Sequence, residues 1–330
     1  MTTTAQTSLS NSSTSERIQV VRGIAIIAVV LIHTLPVGAL QVWVRPFLNI
    51  AVGLFLFLSG MLSKASNWKP GKRLFKILIP YFLWTLIYVI FFFYMLPSEI
   101  PVEFLKRLIL GNVTPAMYYV FVYCELTLLI PLIDKLAKSK LKMLGFAISP
   151  IEIIVMRMLP ALLGYQLPEV VNTIMELTCL WCFSFFYLGY LVGNGMLKIS
   201  LSNAKLIVLS IVGLILQFGE GYWLYLHGDE NCGTQAKISV LVTTSFFALL
   251  MYRYVHSNAG IPKVIMFIGD HSFGVFFAHY MFVILLRKMT LLNDCLVFPL
   301  KGIIVLGVSL LLSWGGSKLP GKAGKYLAFY

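Results

Sequence analysis

Runs of about twenty apolar residues recur along this chain from end to end, and nothing else constrains its fold so tightly. A run of that length crosses the hydrocarbon core of a bilayer as a helix. Only a helix or a closed barrel satisfies its own backbone hydrogen bonds there. Ten spans are read, at 18–37, 42–63, 74–95, 117–134, 144–164, 172–194, 205–226, 236–255, 264–286 and 295–314. Only 12% of the 330 residues are charged, against about 25% in soluble domains. The expected fold is all-α, a polytopic transmembrane bundle of about ten helices.

The net charge of +13 would suit nucleic acid if it formed one patch. Its distribution argues otherwise. Threading ten spans through a membrane puts 18 of the 26 Lys and Arg on the side of both termini, seven on the other, and Arg157 within a span. That asymmetry predicts cytoplasmic termini. Basicity is then a topology signal, with membrane lipid rather than nucleic acid as the partner. Residues 1–15 are Ser/Thr-rich and read as a disordered cytoplasmic tail. Residues 16–314 form the membrane domain and 315–330 a short basic cytoplasmic tail. No cleavage site follows the first apolar run, so it is expected to stay as a span. Five cysteines suggest packing roles for Cys124, Cys179 and Cys182. A disulfide between Cys232 and Cys295 is left open.

The first span carries the costliest residues. Arg22 and His33 are eleven positions apart, about three turns, so they share a face. The helical rise sets His33 about 16 Å deeper than Arg22. Ionisable groups inside a membrane are functional candidates by default. The bland reading is a snorkelling arginine and a histidine bonded within the bundle. Ser59-Gly60 in the second span reads first as a packing site. Lys72-Arg73-Leu-Phe-Lys76 is a positive-inside anchor or a cradle for phosphates. Glu125 lies in an aromatic run beginning at Met117-Tyr118, where it would pair with an arginine, orient a histidine or bind a hydroxyl. Glu220 is expected near the outer surface, as an acceptor contact. Gly269-Asp-His-Ser opens the ninth span and leads to a second buried histidine, His279. No metal set stands out.

Four stretches together resemble the acyltransferase-3 family. They are Arg22 to His33, Phe55-Leu-Phe-Leu-Ser-Gly60, Lys72-Arg73-Leu-Phe-Lys76 with Pro80-Tyr81, and Gly269 to His279. The likeness covers roughly residues 16–310. It implies transfer of an acyl group, usually acetyl, from cytoplasmic acyl-CoA to a hydroxyl of a cell-surface or lipid-linked carbohydrate. It implies a multi-pass protein of the bacterial inner membrane, with polysaccharide-assembly proteins as candidate partners and no resident cofactor. Carried onto this chain, His33 is the catalytic base. Arg22, Arg73 and Lys76 face the donor, and Lys76 departs from the arginine common in the family. Glu125 is the second catalytic candidate. Ser59, Tyr118 and His279 are candidates to contact substrate. A transporter or flippase for a sugar or lipid-linked sugar is the alternative, since buried Glu and His also suit proton relays. No matching halves of the kind transporters carry are visible. A non-catalytic scaffold is the third reading.

Overall fold

The computed structural model describes residues 2–92, 97–165, 167–228, 232–289, 293 and 295–330, with side chains for all of these except 2–12, 169, 172, 173 and 176. Among them every regular element is helical. Helix α1 spans Thr2–Thr34. Helices α2 (Leu40–Leu48) and α3 (Ile50–Met61) form one span broken at Asn49. Then come α4 (Pro70–Phe92), α5 (Ile100–Leu110) and α6 (Tyr118–Lys138). Short helices α7 (Ile148–Ile153), α8 (Leu159–Leu163) and α9 (Glu169–Leu177) precede α10 (Phe183–Gly193). The chain continues through α11 (Asn203–Leu226), α12 (Ile238–Val255), α13 (Lys263–Asp270) and α14 (Ser272–Lys288). It closes with α15 (Leu300–Ser317) and α16 (Ala323–Tyr326).

Among the described residues, seven helical stretches are long and apolar enough to cross a membrane, or eight if the pair α13–α14 counts as one. The ten apolar runs read from sequence divide differently for three physical reasons. The run 117–134 forms α6, which carries Glu125, Asp134, Lys135 and Lys138. The run 172–194 is interrupted where Thr178 turns extended, leaving α9 and the shorter α10. The run 264–286 breaks after Asp270, where α13 and α14 meet at 77°.

Two close approaches set the packing that positions the interior. A Cβ built on Gly60 of α3 would meet the Phe186 carbonyl oxygen of α10 at 2.0 Å, and one on Gly189 of α10 would meet that of Phe57 at 2.0 Å. Small residues bring membrane helices together in this way. The same device seats α13 on α1, where a Cβ on Gly269 would lie 1.8 Å from the Gln19 carbonyl oxygen. Asp270 is thereby delivered to the neighbourhood of Arg22.

Both ends of the described chain lie at one end of the bundle. Arg17 donates from Nε and Nη2 to the Ala259 carbonyl beyond α12, each at 3.1 Å. Residues 327–330 return to the same end, where the Trp84 indole donates to the Leu327 carbonyl at 3.1 Å. At the far end a buried polar chain ties the α2–α3 break to α11 and α12. Asn49 Nδ2 donates to Gln217 Oε1 at 3.1 Å, and Gln217 Nε2 donates to Thr243 Oγ1 at 2.8 Å.

Candidate active site

A cavity of about 1540 Å³ runs through the bundle interior. At the end shared with the termini it is lined by Arg22, Lys72, Arg73, Lys76, Asp270 and Tyr330. His33, Ser59, Tyr119, Phe276 and Tyr280 also line it. The far end is lined by Gln41, Arg45, Tyr118, Arg157 and Arg287. The cavity thus joins a cluster of cations at one end to a histidine deep inside.

His33 sits in the last turn of α1, half-buried on the cavity wall. Its ring centroid is 5.3 Å from that of His279, and Tyr280 meets it edge-on at 5.7 Å. His279 is fully buried. Its Nδ1 faces the carbonyl oxygens of Val275 and Phe276 at 3.0 and 2.8 Å. Both neighbours only accept, so Nδ1 carries the proton. Nε2 has no protein partner among the described residues. His279 therefore backs His33 from behind the wall rather than lining the cavity.

At the terminal end Arg22 donates from Nη1 to Gln19 Oε1 at 3.4 Å, with Tyr119, Tyr123 and Asp270 in electrostatic reach. The helix between Arg22 and His33 is unbroken, so their separation along its axis is about 16 Å. Arg73 Nη1 donates to Ser63 Oγ at 2.8 Å. Lys76 Nζ lies 4.6 Å over the ring of Tyr330. Burial raises the Tyr330 phenol above its ordinary range, which keeps it a neutral donor beside those cations. Ser59 donates to the Phe55 carbonyl at 2.8 Å within its own helix.

A family model described as an acyltransferase domain matches residues 15–317. The chain belongs to the acyltransferase-3 family. No curated protein and no solved structure matches it. Membership makes this a multi-pass membrane acyltransferase, and it does not favour the transporter alternative.

The acyltransferase brings six of the eight expected site residues to one cavity: Arg22, His33, Ser59, Arg73, Lys76 and Tyr118. Two lie elsewhere. His279 stands behind His33. Glu125 does not line the cavity, because its Oε2 accepts from the backbone N–H of Cys179 at 2.6 Å. A carboxylate there satisfies backbone at the interruption before α10 and cannot orient His33. Glu220 is likewise spent on structure. It accepts from the N–H groups of Ile238 and Ser239 at 3.2 and 2.9 Å, at the start of α12. Cys232 and Cys295 are separate thiols, one buried and one exposed.

Sequence reasoning missed the aromatic walls of this acyltransferase and its far-end arginines. Tyr119 and Tyr123, and Phe276 and Tyr280, are each four residues apart and so share a helix face. That spacing was available as a signal. Arg45 and Arg287 entered only the count of cations on the side opposite the termini. Among the described residues no cluster of His, Cys, Asp or Glu is placed to hold a metal ion.

Proposed function

We propose that this acyltransferase moves an acyl group, acetyl by default, from cytoplasmic acyl-CoA to a hydroxyl of a cell-surface or lipid-linked carbohydrate at the plasma membrane. One observation carries the reading: a single cavity connects Arg22, Arg73 and Lys76 to His33. The donor's phosphates lie among those cations, which bind phosphate by charge and directed N–H groups. Its thioester arm extends along α1 toward the histidine. The acceptor enters from the far end.

A thioester is already activated, so alignment supplies much of the rate. His33 takes the acceptor's hydroxyl proton as that oxygen attacks the thioester carbonyl carbon. The new C–O bond forms and the C–S bond breaks. Coenzyme A leaves as a thiolate and recovers the proton from the imidazolium. Base assistance of this kind contributes about 10²–10⁴-fold. Tyrosine hydroxyls on the cavity wall are candidates to donate to the developing oxyanion. Transfer is direct, with no acyl-enzyme. His279 holds the orientation of His33.

The test uses membranes carrying wild type or His33→Ala at matched levels, given radiolabelled acetyl-CoA and surface glycans extracted from the host. Alkali-labile label on glycan in wild type, absent in His33→Ala, is the expected result. Equal label in both would remove His33 as the base.

A further inference from the structure

The far end of the cavity holds charge that the donor does not account for. Arg45, Arg157 and Arg287 line it, and Glu152 is the only carboxylate among the described lining residues there. Arg45 and Arg157 are half-buried and Arg287 is exposed, and like charges gathered around one cavity repel unless an opposite charge offsets them. Two of the three are held by neutral groups instead. Arg45 Nε donates to the Gly233 carbonyl at 2.7 Å. Arg287 Nη1 reaches the Tyr280 hydroxyl at 3.4 Å, with its guanidinium 5.8 Å over the same ring. These contacts fix the side chains in place without neutralising them. Arg45 and Arg287 also lie within electrostatic reach of His33. The positive charge is therefore set close to the reacting centre, at the end away from the donor cluster.

The two arginines arrive from separate helices. Arg45 comes from α2, just before the break at Asn49, and the Asn49–Gln217–Thr243 polar chain holds that break rigid. Arg287 comes from the last turn of α14. Arg157 comes from the single π-turn at Ile154–Met158, between α7 and α8. Such bulges occur often at functional sites. Three elements thus converge guanidinium groups on one compartment, and the guanidinium fork matches carboxylate and phosphate oxygens.

We propose that the far compartment is an anion-binding acceptor subsite, built by Arg45, Arg157 and Arg287 for a carbohydrate that carries a carboxylate or a phosphate group. This rests on the acyl-transfer reading for the word acceptor, and on the cavity alone for the anion. The same chemistry has two sources. The charge belongs either to an acidic sugar of the glycan or to the diphosphate of a polyprenyl-linked sugar.

The test is equilibrium binding to the purified full-length protein in an uncharged detergent. Two pairs of probes are used. A glucuronate-containing oligosaccharide is compared with its carboxyl-reduced counterpart, and a polyprenyl diphosphate is compared with the polyprenol. The expected result is that the anionic member of at least one pair binds about tenfold or more tightly, and less so as salt rises. The pair that shows the preference names the source. Arg45→Gln, Arg157→Gln and Arg287→Gln should each weaken that probe about ten- to a hundredfold. Lys322→Gln, at an exposed position outside the cavity, should leave it unchanged. Coenzyme A binding at the other end reports that each variant is folded, and Arg157→Lys, which keeps the charge but loses the fork, should weaken the probe less than Arg157→Gln does. No anionic preference in either pair overturns the proposal. So does a preference that survives all three glutamine substitutions. Anion binding without any acyl transfer would leave this subsite standing and defeat the acyl-transfer reading instead.

Discussion

The imidazoles of His33 and His279 face each other with ring centroids 5.3 Å apart, one on the cavity wall and one sealed behind it. The two rings have different duties. His33 meets the cavity and is the base of the proposed transfer. His279 donates its Nδ1 proton to the backbone of its own helix and supplies a fixed surface. His33→Ala should lower kcat by about 10²–10⁴-fold. His279→Phe keeps an aromatic face but loses the anchoring bond, and should lower kcat by only about tenfold, with the acyl-CoA KM unchanged. Steady-state kinetics on both variants checks this. A loss in His279→Phe as large as in His33→Ala would mean that the second ring takes part in the chemistry.

At the proposed donor end, Arg73 is the cation best placed to bind phosphate, since Ser63 holds one of its nitrogens at 2.8 Å. Arg73→Gln removes the charge and the fork together. The KM for acyl-CoA should rise about tenfold or more while kcat changes little, and the wild-type KM should climb with salt. A KM indifferent to both the substitution and salt would place the donor elsewhere.

Much of this arrangement is legible in the chain. The apolar runs announce the helical bundle. The spacing from Arg22 to His33 announces a shared face because α1 is unbroken between them. The Lys72–Lys76 cluster gains its meaning only from the cavity it enters, which no local pattern encodes. Glu125 shows why the rest was hidden. A buried carboxylate looks alike in sequence whether it meets a substrate or a backbone N–H, and only the interruption at Thr178 brings Cys179 to it. The same interruption, and the 77° bend between α13 and α14, lie inside runs whose hydropathy is continuous. Hydropathy reports what the lipid tolerates, not where the backbone turns.

The α3–α10 contact makes a packing prediction that a control can sharpen. A methyl group on Gly60 would press within 2.0 Å of a backbone carbonyl, so the helices must part. Gly60→Ala should cost about 1–3 kcal/mol by overpacking. Gly71, in the first turn of α4, has nothing within 4 Å of its built Cβ, so Gly71→Ala should be neutral or slightly stabilising. Thermal unfolding in detergent micelles compares the two. Equal shifts would show that the α3–α10 approach is looser than these distances state.

Lys237, in the connection that leads into α12, supplies a pH dependence whose sign is fixed by burial. It is 1% exposed, and its Nζ donates to the Cys232 carbonyl at 3.3 Å. Burial pulls its pKa down from 10.5 to about 8, with Arg45 and Arg157 pushing the same way and Glu220 opposing them. Below pH 8 the lysine is charged in both the folded and unfolded states, and folding bears the whole cost of burying that charge. Between about 8 and 10.5 the unfolded chain holds the proton that the folded one has released. Stability therefore gains up to about 1.4 kcal/mol per pH unit across that window from this group. Lys237→Met should remove that gain and raise stability near pH 7, because no charge is left to bury. Unfolding temperatures of wild type and variant, taken from pH 7 to 10.5, decide the matter. Parallel curves would mean that Lys237 keeps its proton at no cost, with Glu220 compensating for burial in full.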